Sequence, residues 1–258
     1  MPRTARKSTE ERRLASLKGS ELEERIGSVR ERIEAAARRA GRDPSDVVLV
    51  AVSKTQPPEA VVAAYHAGLH LFGENRVEEA GPKAEAVAGL LAPEAAPIWH
   101  MVGHVQSRKA ISVLPWAAMV HSVDSVRLAD RLSRISVEAG LELAILLEVN
   151  VSGETSKYGL TPQELPGAVE VIGPLPGLRL EGLMTMAPIA ANPDSIRPVF
   201  ARLRALKGEM AQRFPGLKWR HLSMGMTDDF EVAIEEGATL VRIGRAIFGE
   251  RAEVESIC

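Results

Sequence analysis

Lys54 follows a stretch of sequence that is typical of a buried strand. The run VVLVAV occupies residues 47–52, and Pro57 and Pro58 come soon after the lysine. A continuous β-branched apolar run, ended by proline, is typical of a strand that is buried on both faces of a parallel sheet. The sequence therefore predicts an ammonium group at the carboxyl end of such a strand. The alternative is a lysine that ends the strand and points into solvent.

Two segments near the C-terminus have the composition of an anion-binding site. In HLSMGMTDDFEVAIEEG, at 221–237, a predicted strand enters a Ser and Gly turn before a helix that opens with Thr227. Several backbone N–H groups and a hydroxyl can there converge on one anion. In TLVRIGRAIFG, at 239–249, Gly244 allows a close backbone approach at the next strand end. Tight turns alone would also explain these glycines, but together with Lys54 they predict a site for a phosphorylated carbonyl compound held as a Schiff base.

Two kinds of protein fit such a site: an aldolase that acts on a sugar phosphate, or a protein that holds pyridoxal 5′-phosphate (PLP). Arg242 bears on the choice, because it lies two residues before Gly244 and on the same side of the predicted strand. A buried guanidinium stays charged and only donates hydrogen bonds. It can donate to a pyridine nitrogen, but it disfavours protonation of that nitrogen and so weakens the ring as an electron sink.

The elements that must position these residues alternate along the chain. Apolar runs predict eight strands, and helical patterns fill the intervals between them. The predicted strands are 47–52, 69–72, 97–102, 119–123, 143–151, 179–184, 218–222 and 239–243, and the predicted helices are 58–67, 76–91, 105–112, 125–139, 161–172, 194–213 and 228–236. This order predicts an α/β fold, a single (β/α)₈ TIM barrel. A doubly wound sheet would alternate similarly, but no glycine-rich phosphate fingerprint follows the first strand, and polar residues follow many strands rather than one switch point.

An extra helix precedes the barrel. The pattern ELEERIGSVRERIEAAARRAGRD, at 21–43, is amphipathic, and we expect Ser20 to cap its start and Gly41 to end it. Residues 1–18 contain six Lys and Arg residues against two Glu residues and few apolar ones. We therefore expect a mobile basic N-terminal extension at 1–18 and one barrel domain at 19–258.

The charge, cysteine content and hydropathy of the chain argue against several classes of protein: nucleic-acid-binding, disulfide-linked and membrane-spanning proteins. A formal net charge of −2 gives no bulk attraction to nucleic acid or anionic lipid, and we expect neither as a partner. The one cysteine is Cys258, so no internal disulfide and no thiolate metal cluster is expected. No apolar run approaches the roughly 20 residues that span a bilayer. A cytoplasmic monomer is the expectation.

Six segments of the chain, in order between about residue 20 and 250, resemble the signature segments of the YggS/PROSC family of pyridoxal phosphate homeostasis proteins. They are VAVSKT, FGENRVEE, WHMVGHVQSRK, NVSGETSKYG, GLMTM and LSMGMTDDFEVAIEEGATLVRIGRAIFG. The family is similar in fold to the N-terminal barrel of alanine racemase. The resemblance implies PLP as cofactor, with Lys54 as the Schiff-base lysine, Asn75 beside the ring and Arg242 at the pyridine nitrogen. It also implies Ser223, Met224, Gly244 and Arg245 around the phosphate, with Met224 and Arg245 acting through backbone N–H groups. Gln56 departs from the many members that have a second lysine there.

The resemblance also implies a carrier rather than an enzyme. A racemase of this type needs a base on each face of the cofactor, and alanine racemase takes the second, a tyrosine, from a C-terminal domain. The chain ends at Cys258, so we expect no such domain. Of the two tyrosines, Tyr65 and Tyr158, only Tyr158 can approach the mouth, where packing at the rim is the favoured interpretation. We therefore predict no catalytic residue, a role in intracellular PLP (vitamin B6) homeostasis, and apo PLP-dependent enzymes as partners. An active fold-type III PLP enzyme, a racemase or decarboxylase, is the alternative.

The remaining candidates are histidines and one lysine. His100 and His104 have a spacing that metal sites use, but no third ligand is evident, so we predict barrel-lining or surface positions and no metal. His121 and His221 lie within predicted strands and are expected to make satisfied contacts in the core or to contact residues that line the site. Lys157, in the segment SGETSKYG, is a hypothesised participant in cofactor entry or transfer.

Overall fold

Eight parallel strands close into a barrel in the computed structural model, which describes residues 9–95, 97–154, 158–188 and 192–249. The strands follow in chain order around the barrel, and β8 pairs with β1. They are β1 (Val48–Val52), β2 (Leu71–Glu74), β3 (Ile98–Met101), β4 (Met119–Val123), β5 (Leu143–Glu148), β6 (Leu178–Met184), β7 (His221–Ser223) and β8 (Leu240–Ile243). The prediction of a single (β/α)₈ barrel is confirmed.

Helices connect the strands and cover the outside of the barrel. They are α1 (Thr9–Arg39), α2 (Pro58–His66), α3 (Val77–Leu90), α4 (Val126–Glu138), α5 (Leu165–Ile172), α6 (Arg197–Arg213), α7 (Phe230–Glu235) and α8 (Arg245–Phe248). Short 3₁₀ helices lie at Pro44–Asp46, Ser107–Ser112 and Pro193–Ile196. The connection from β3 to β4, predicted as a helix at 105–112, therefore contains only 3₁₀ structure. No helix in the described part of the chain is both long and apolar enough to span a bilayer.

Helix α1 begins earlier than its amphipathic pattern indicates. Because it starts at Thr9, Ser20 lies inside the helix, and the prediction that Ser20 caps its start was wrong. The sequence from 9 to 18 consists mainly of good helix formers, and Gly19 alone costs only about 1 kcal/mol in a helix interior. The helix ends as predicted, before Gly41, whose φ is +66°. The mobile extension at 1–18 stays a prediction.

Two apolar layers hold the barrel together. The larger one lies between the strands and the helices and includes Ile26, Val29 and Ile33 of α1. The smaller one fills the barrel interior with Val50, Val52, Val102, Met119, Ala144, Leu146, Met184 and Leu240. Because side chains alternate along each strand, the residues that follow this inner layer point toward the carboxyl end of the barrel. Most of them are polar, and they form the candidate site.

Candidate functional site at the carboxyl end of the barrel

Lys54 lies in a tight turn directly after β1. The N–H of Gln56 donates to the carbonyl of Ser53 over 3.0 Å, which closes the turn around Lys54 and Thr55. Val50 and Val52 belong to the inner apolar layer, so Lys54 continues the inward row of β1 at the barrel mouth, and it is exposed there. The ammonium is thus accessible to a molecule that enters from this end.

Asn75 occupies the equivalent place after β2. Its side-chain oxygen Oδ1 is buried and has no hydrogen-bond partner within the described residues. Gly103, after β3, packs so closely against Asn75 that an added Cβ would lie 2.2 Å from the Asn75 carbonyl oxygen. An unused acceptor is unusual for a buried amide and fits a site that a polar ligand completes.

Arg242 lies in the barrel interior, below the mouth. Its side chain is 4% exposed, with Nη1 donating to Ser223 Oγ over 2.5 Å and Nη2 donating to the Thr185 carbonyl over 3.0 Å. Ser223 Oγ also bonds His121 Nδ1 at 2.8 Å, and His121 Nε2 bonds His100 Nδ1 at 2.9 Å. Four buried side chains thus form one hydrogen-bonded row, which fixes the guanidinium. His100 lines the barrel and His121 is a satisfied core residue, as predicted.

The loops after β7 and β8 adjoin, because these two strands are neighbours in the barrel. The N–H of Ala246 donates to Thr227 Oγ1 over 3.4 Å, and Gly225 has a φ of +93°. A Cβ on Gly244 would lie 2.9 Å from the Val52 carbonyl oxygen, so only glycine fits between β8 and β1. The Arg245 side chain pairs with Asp228.

Two of the residues predicted around a phosphate have other partners in this structure. The Ser223 hydroxyl is directed to Arg242 and His121. The N–H of Met224 donates to the Leu240 carbonyl over 3.1 Å, because the pairing of β7 with β8 continues through Met224. The roles of both residues at a phosphate stay predictions.

His104 and Tyr158 form the rim of the mouth. Their rings stack with centroids 3.8 Å apart, and His104 Nδ1 lies 3.1 Å from Asp124 Oδ2. Tyr158 is 59% exposed, as a rim residue would be. Within the described ranges, no group of three or more His, Cys, Asp or Glu residues could hold a metal ion. Lys157 lies outside the described residues.

Burial shifts the pKa values of the interior groups. It lowers the pKa of Arg242 to about 10 and that of His100 to about 4, and it moves the pKa of His121 well below its usual value. Burial, together with the nearby Asp124 carboxylate, raises the pKa of Glu148 to about 7. At neutral pH the interior therefore has a charged guanidinium, neutral imidazoles and a carboxyl near its midpoint.

Glu148 was missed by the sequence analysis. It ends β5, is 7% exposed, and follows Ala144 and Leu146 in the inward row of that strand. The alternation in LAILLE places it inside the barrel, but the run is otherwise apolar and predicts only a buried strand.

Replacing Glu148 with glutamine should make the protein more stable at alkaline pH. As the pH rises from 4.5 to 7, the carboxyl ionises in the unfolded chain before it ionises in the folded one, so the wild type loses stability over this window. We expect Glu148→Gln to raise the free energy of unfolding at pH 8 by about 1–3 kcal/mol and to leave it unchanged at pH 4.5. Urea unfolding at both pH values measures this, with exposed Glu138→Gln as the control. Equal gains at both pH values would contradict the assignment.

The residues present fit PLP as a ligand. An accessible amine, an unused amide oxygen, a donor-only buried cation and two adjoining glycine loops surround one mouth. The aldehyde of PLP can form a Schiff base with the amine, and its pyridine nitrogen can accept a hydrogen bond from the buried cation. Its phosphate can accept from backbone N–H groups where glycines let the backbone come close.

The chain is similar to known proteins over most of its length. The family model of the alanine racemase N-terminal domain matches residues 25–252. A pyridoxal phosphate homeostasis protein of Pseudomonas aeruginosa is 46% identical over 234 residues, which is 90% of this chain and 96% of that protein. One of Aquifex aeolicus is 42% identical over 228 residues, 88% of this chain and 97% of that protein. Among solved structures, PipY of Synechococcus elongatus with PLP bound is 34% identical, with a TM-score of 0.75 over 88% of this chain and 100% of that one.

Proposed function

Since the chain belongs to the alanine racemase N-terminal domain family, and within it to the pyridoxal phosphate homeostasis proteins, we propose that it holds PLP as a Schiff base on Lys54. By binding and releasing PLP it would take part in the homeostasis of intracellular vitamin B6. The observation that most supports this role is the juxtaposition of an accessible lysine with a buried, donor-only cation at the same end of one barrel.

Each part of the site has a task in this proposal. The Lys54 amine would hold the aldehyde group of PLP as the Schiff base, and Asn75 would lie beside the ring. Arg242 would donate to the pyridine nitrogen, and Ser223, Met224, Gly244 and Arg245 would hold the phosphate. When bound, PLP supplies an electron-withdrawing ring. Because the pKa of Arg242 stays near 10, its guanidinium remains charged at neutral pH and would disfavour protonation of that nitrogen.

The proposal includes the absence of catalytic turnover. Tyr158 is stacked on His104 at the rim, and Tyr65 lies in α2 with its ring against His70. Neither tyrosine is in a position that favours its hydroxyl as a base for a cofactor bound to Lys54. The rival function is an active PLP enzyme, a racemase or decarboxylase of amino acids. Glu148 favours that rival, because its pKa near 7 suits a general base.

The experiment that separates the two functions uses the PLP-loaded protein and each common amino acid. We expect no steady racemisation or decarboxylation, as followed by chiral chromatography and carbon dioxide release. A steady rate that is lost in Lys54→Ala and in Glu148→Gln would establish the enzyme and contradict the carrier.

We also propose the partners, the cellular location and the oligomeric state of the protein. We propose that apo PLP-dependent enzymes receive the cofactor, and that the protein acts in the cytoplasm as a monomer without nucleic acid or membrane partners. The proposed domain organisation is a basic extension at 1–18 followed by the barrel at 19–258. Restoration of activity to an apo-enzyme by the loaded protein, faster than by free PLP at equal concentration, would support direct delivery.

A further inference from the structure

A buried ionic cluster lies on the outside of the barrel wall, directly behind the candidate site. Lys83 Nζ of α3 donates to Glu74 Oε1 over 2.7 Å and to the Ser53 carbonyl over 2.8 Å. Ser53 Oγ donates to the same Glu74 oxygen over 2.7 Å. Ser53 and Glu74 are fully buried and Lys83 is 8% exposed. The cluster thus connects the ends of β1 and β2 to α3.

The cluster is one residue away from both predicted PLP-binding groups on these strands. Ser53 precedes Lys54, and Glu74 precedes Asn75. Because side chains alternate, Ser53 and Glu74 face α3 while the residues after them face the mouth. A contact that holds the Ser53 and Glu74 side chains in place therefore also holds the backbone from which the next residues, Lys54 and Asn75, project.

The turn that presents Lys54 needs such support. Thr55 has a φ of +65°, a conformation that is unfavourable for a β-branched residue. Backbone of this kind persists only where the surrounding structure holds it in place. The Ser53 carbonyl accepts from both Gln56 N–H and Lys83 Nζ, so the ammonium is bonded to the atom that closes the turn.

The cluster is poorly explained by stability alone. Glu74 Oε2 is buried with no hydrogen-bond partner among the described residues, so the carboxylate is only half satisfied. Apolar residues of similar volume usually replace a buried ion pair without loss of stability. What apolar side chains would not provide is a donor to the Ser53 carbonyl.

We propose that Lys83 is a positioning residue: through the Ser53 carbonyl and Glu74 it holds the Lys54 turn and Asn75 in the geometry that binds PLP. This inference rests on the proposed function, since the geometry matters only if Lys54 holds the cofactor. Lys83 itself projects from α3 toward the ends of β1 and β2 and does not line the mouth.

The test compares three variants, which separate an effect on the position of the Lys54 turn from an effect on the stability of the whole protein. Lys83→Met removes both donations and leaves the Glu74 carboxylate buried without its cation, so it should also be less stable. The double variant Glu74→Gln, Lys83→Met removes the charge as well and should regain most of that stability. Ile135→Ala, in α4 on another side of the barrel, loses stability without touching the cluster.

Two measurements are made on each variant. Hydrogen exchange of the Gln56 N–H in protein without PLP should be about tenfold faster in Lys83→Met and in the double variant, but unchanged in Ile135→Ala. PLP affinity should fall by about tenfold in the same two variants. If the double variant had the wild-type exchange rate at Gln56 and the wild-type PLP affinity, the proposal would be overturned. The effects of Lys83→Met would then come from its loss of stability alone. If wild type itself bound no PLP, the proposed function would fail, whereas the exchange result would still decide whether Lys83 holds the turn.

Discussion

Replacing Lys54 with alanine should weaken PLP binding by about a hundredfold or more and abolish all borohydride-stable attachment, because the variant lacks the amine that bonds the aldehyde. A hundredfold loss corresponds to about 2.7 kcal/mol of binding free energy. Contacts from Asn75, Arg242 and the phosphate loops would remain, so weak non-covalent binding should persist. Equilibrium dialysis gives the affinity, and intact-protein mass after borohydride treatment gives the attachment.

The matched control is an exposed lysine at the opposite end of the barrel. Lys218 precedes β7, and Lys218→Ala should bind and retain PLP as the wild type does. Because Lys54 is exposed and lies in a turn, its substitution should leave the fold intact, which circular dichroism checks. Undiminished attachment in Lys54→Ala would show that another lysine holds the cofactor.

A methyl group at Gly103 should damage both the fold and the site. An added Cβ would lie 2.2 Å from the Asn75 carbonyl oxygen and 2.7 Å from Asn75 Cα, and backbone atoms cannot move aside as a side chain can. The ends of β2 and β3 must separate, so we expect Gly103→Ala to lose about 1–3 kcal/mol of unfolding free energy. PLP affinity should fall as well, because Asn75 moves with its backbone.

The same substitution elsewhere in the chain should have the opposite effect on stability. Gly89 lies near the end of α3, and an added Cβ there meets no atom within 4 Å. Gly89→Ala should therefore stabilise the protein by about 0.5–1 kcal/mol and leave PLP binding unchanged. Urea unfolding of both variants measures the contrast. A Gly103→Ala variant as stable as the wild type would contradict the close packing of Gly103 against the Asn75 backbone.

Local patterns were sufficient to predict the barrel and the end at which the candidate site lies. Each strand is a short apolar run, and parallel strands bring their carboxyl ends to one face whatever the details of packing. For this reason Lys54 and Arg242, far apart in sequence, could be predicted to belong to one site, whereas Asn75 was implied by the family resemblance. The inward direction of Arg242 followed from its spacing to Gly244.

What sequence reasoning missed depends on contacts between distant segments. The pairing of Lys83 with Glu74 requires knowing that α3 packs its buried face on the ends of β1 and β2. The Met224 N–H is engaged by Leu240 because β7 extends one residue further than a turn signal indicates. Helix α1 starts at Thr9 rather than after Ser20 because helix propensity, and not amphipathic pattern, governs that end.

The proposed function is tested most directly by identifying the residue to which PLP is attached. The purified protein is incubated with PLP, reduced with borohydride, digested and mapped by mass spectrometry. We expect one reduced pyridoxyl-phosphate adduct, on the peptide that contains Lys54, together with a loss of the yellow absorbance of the Schiff base. An unmodified Lys54, with either no adduct or an adduct on another lysine, would contradict the central claim that this chain holds PLP through Lys54.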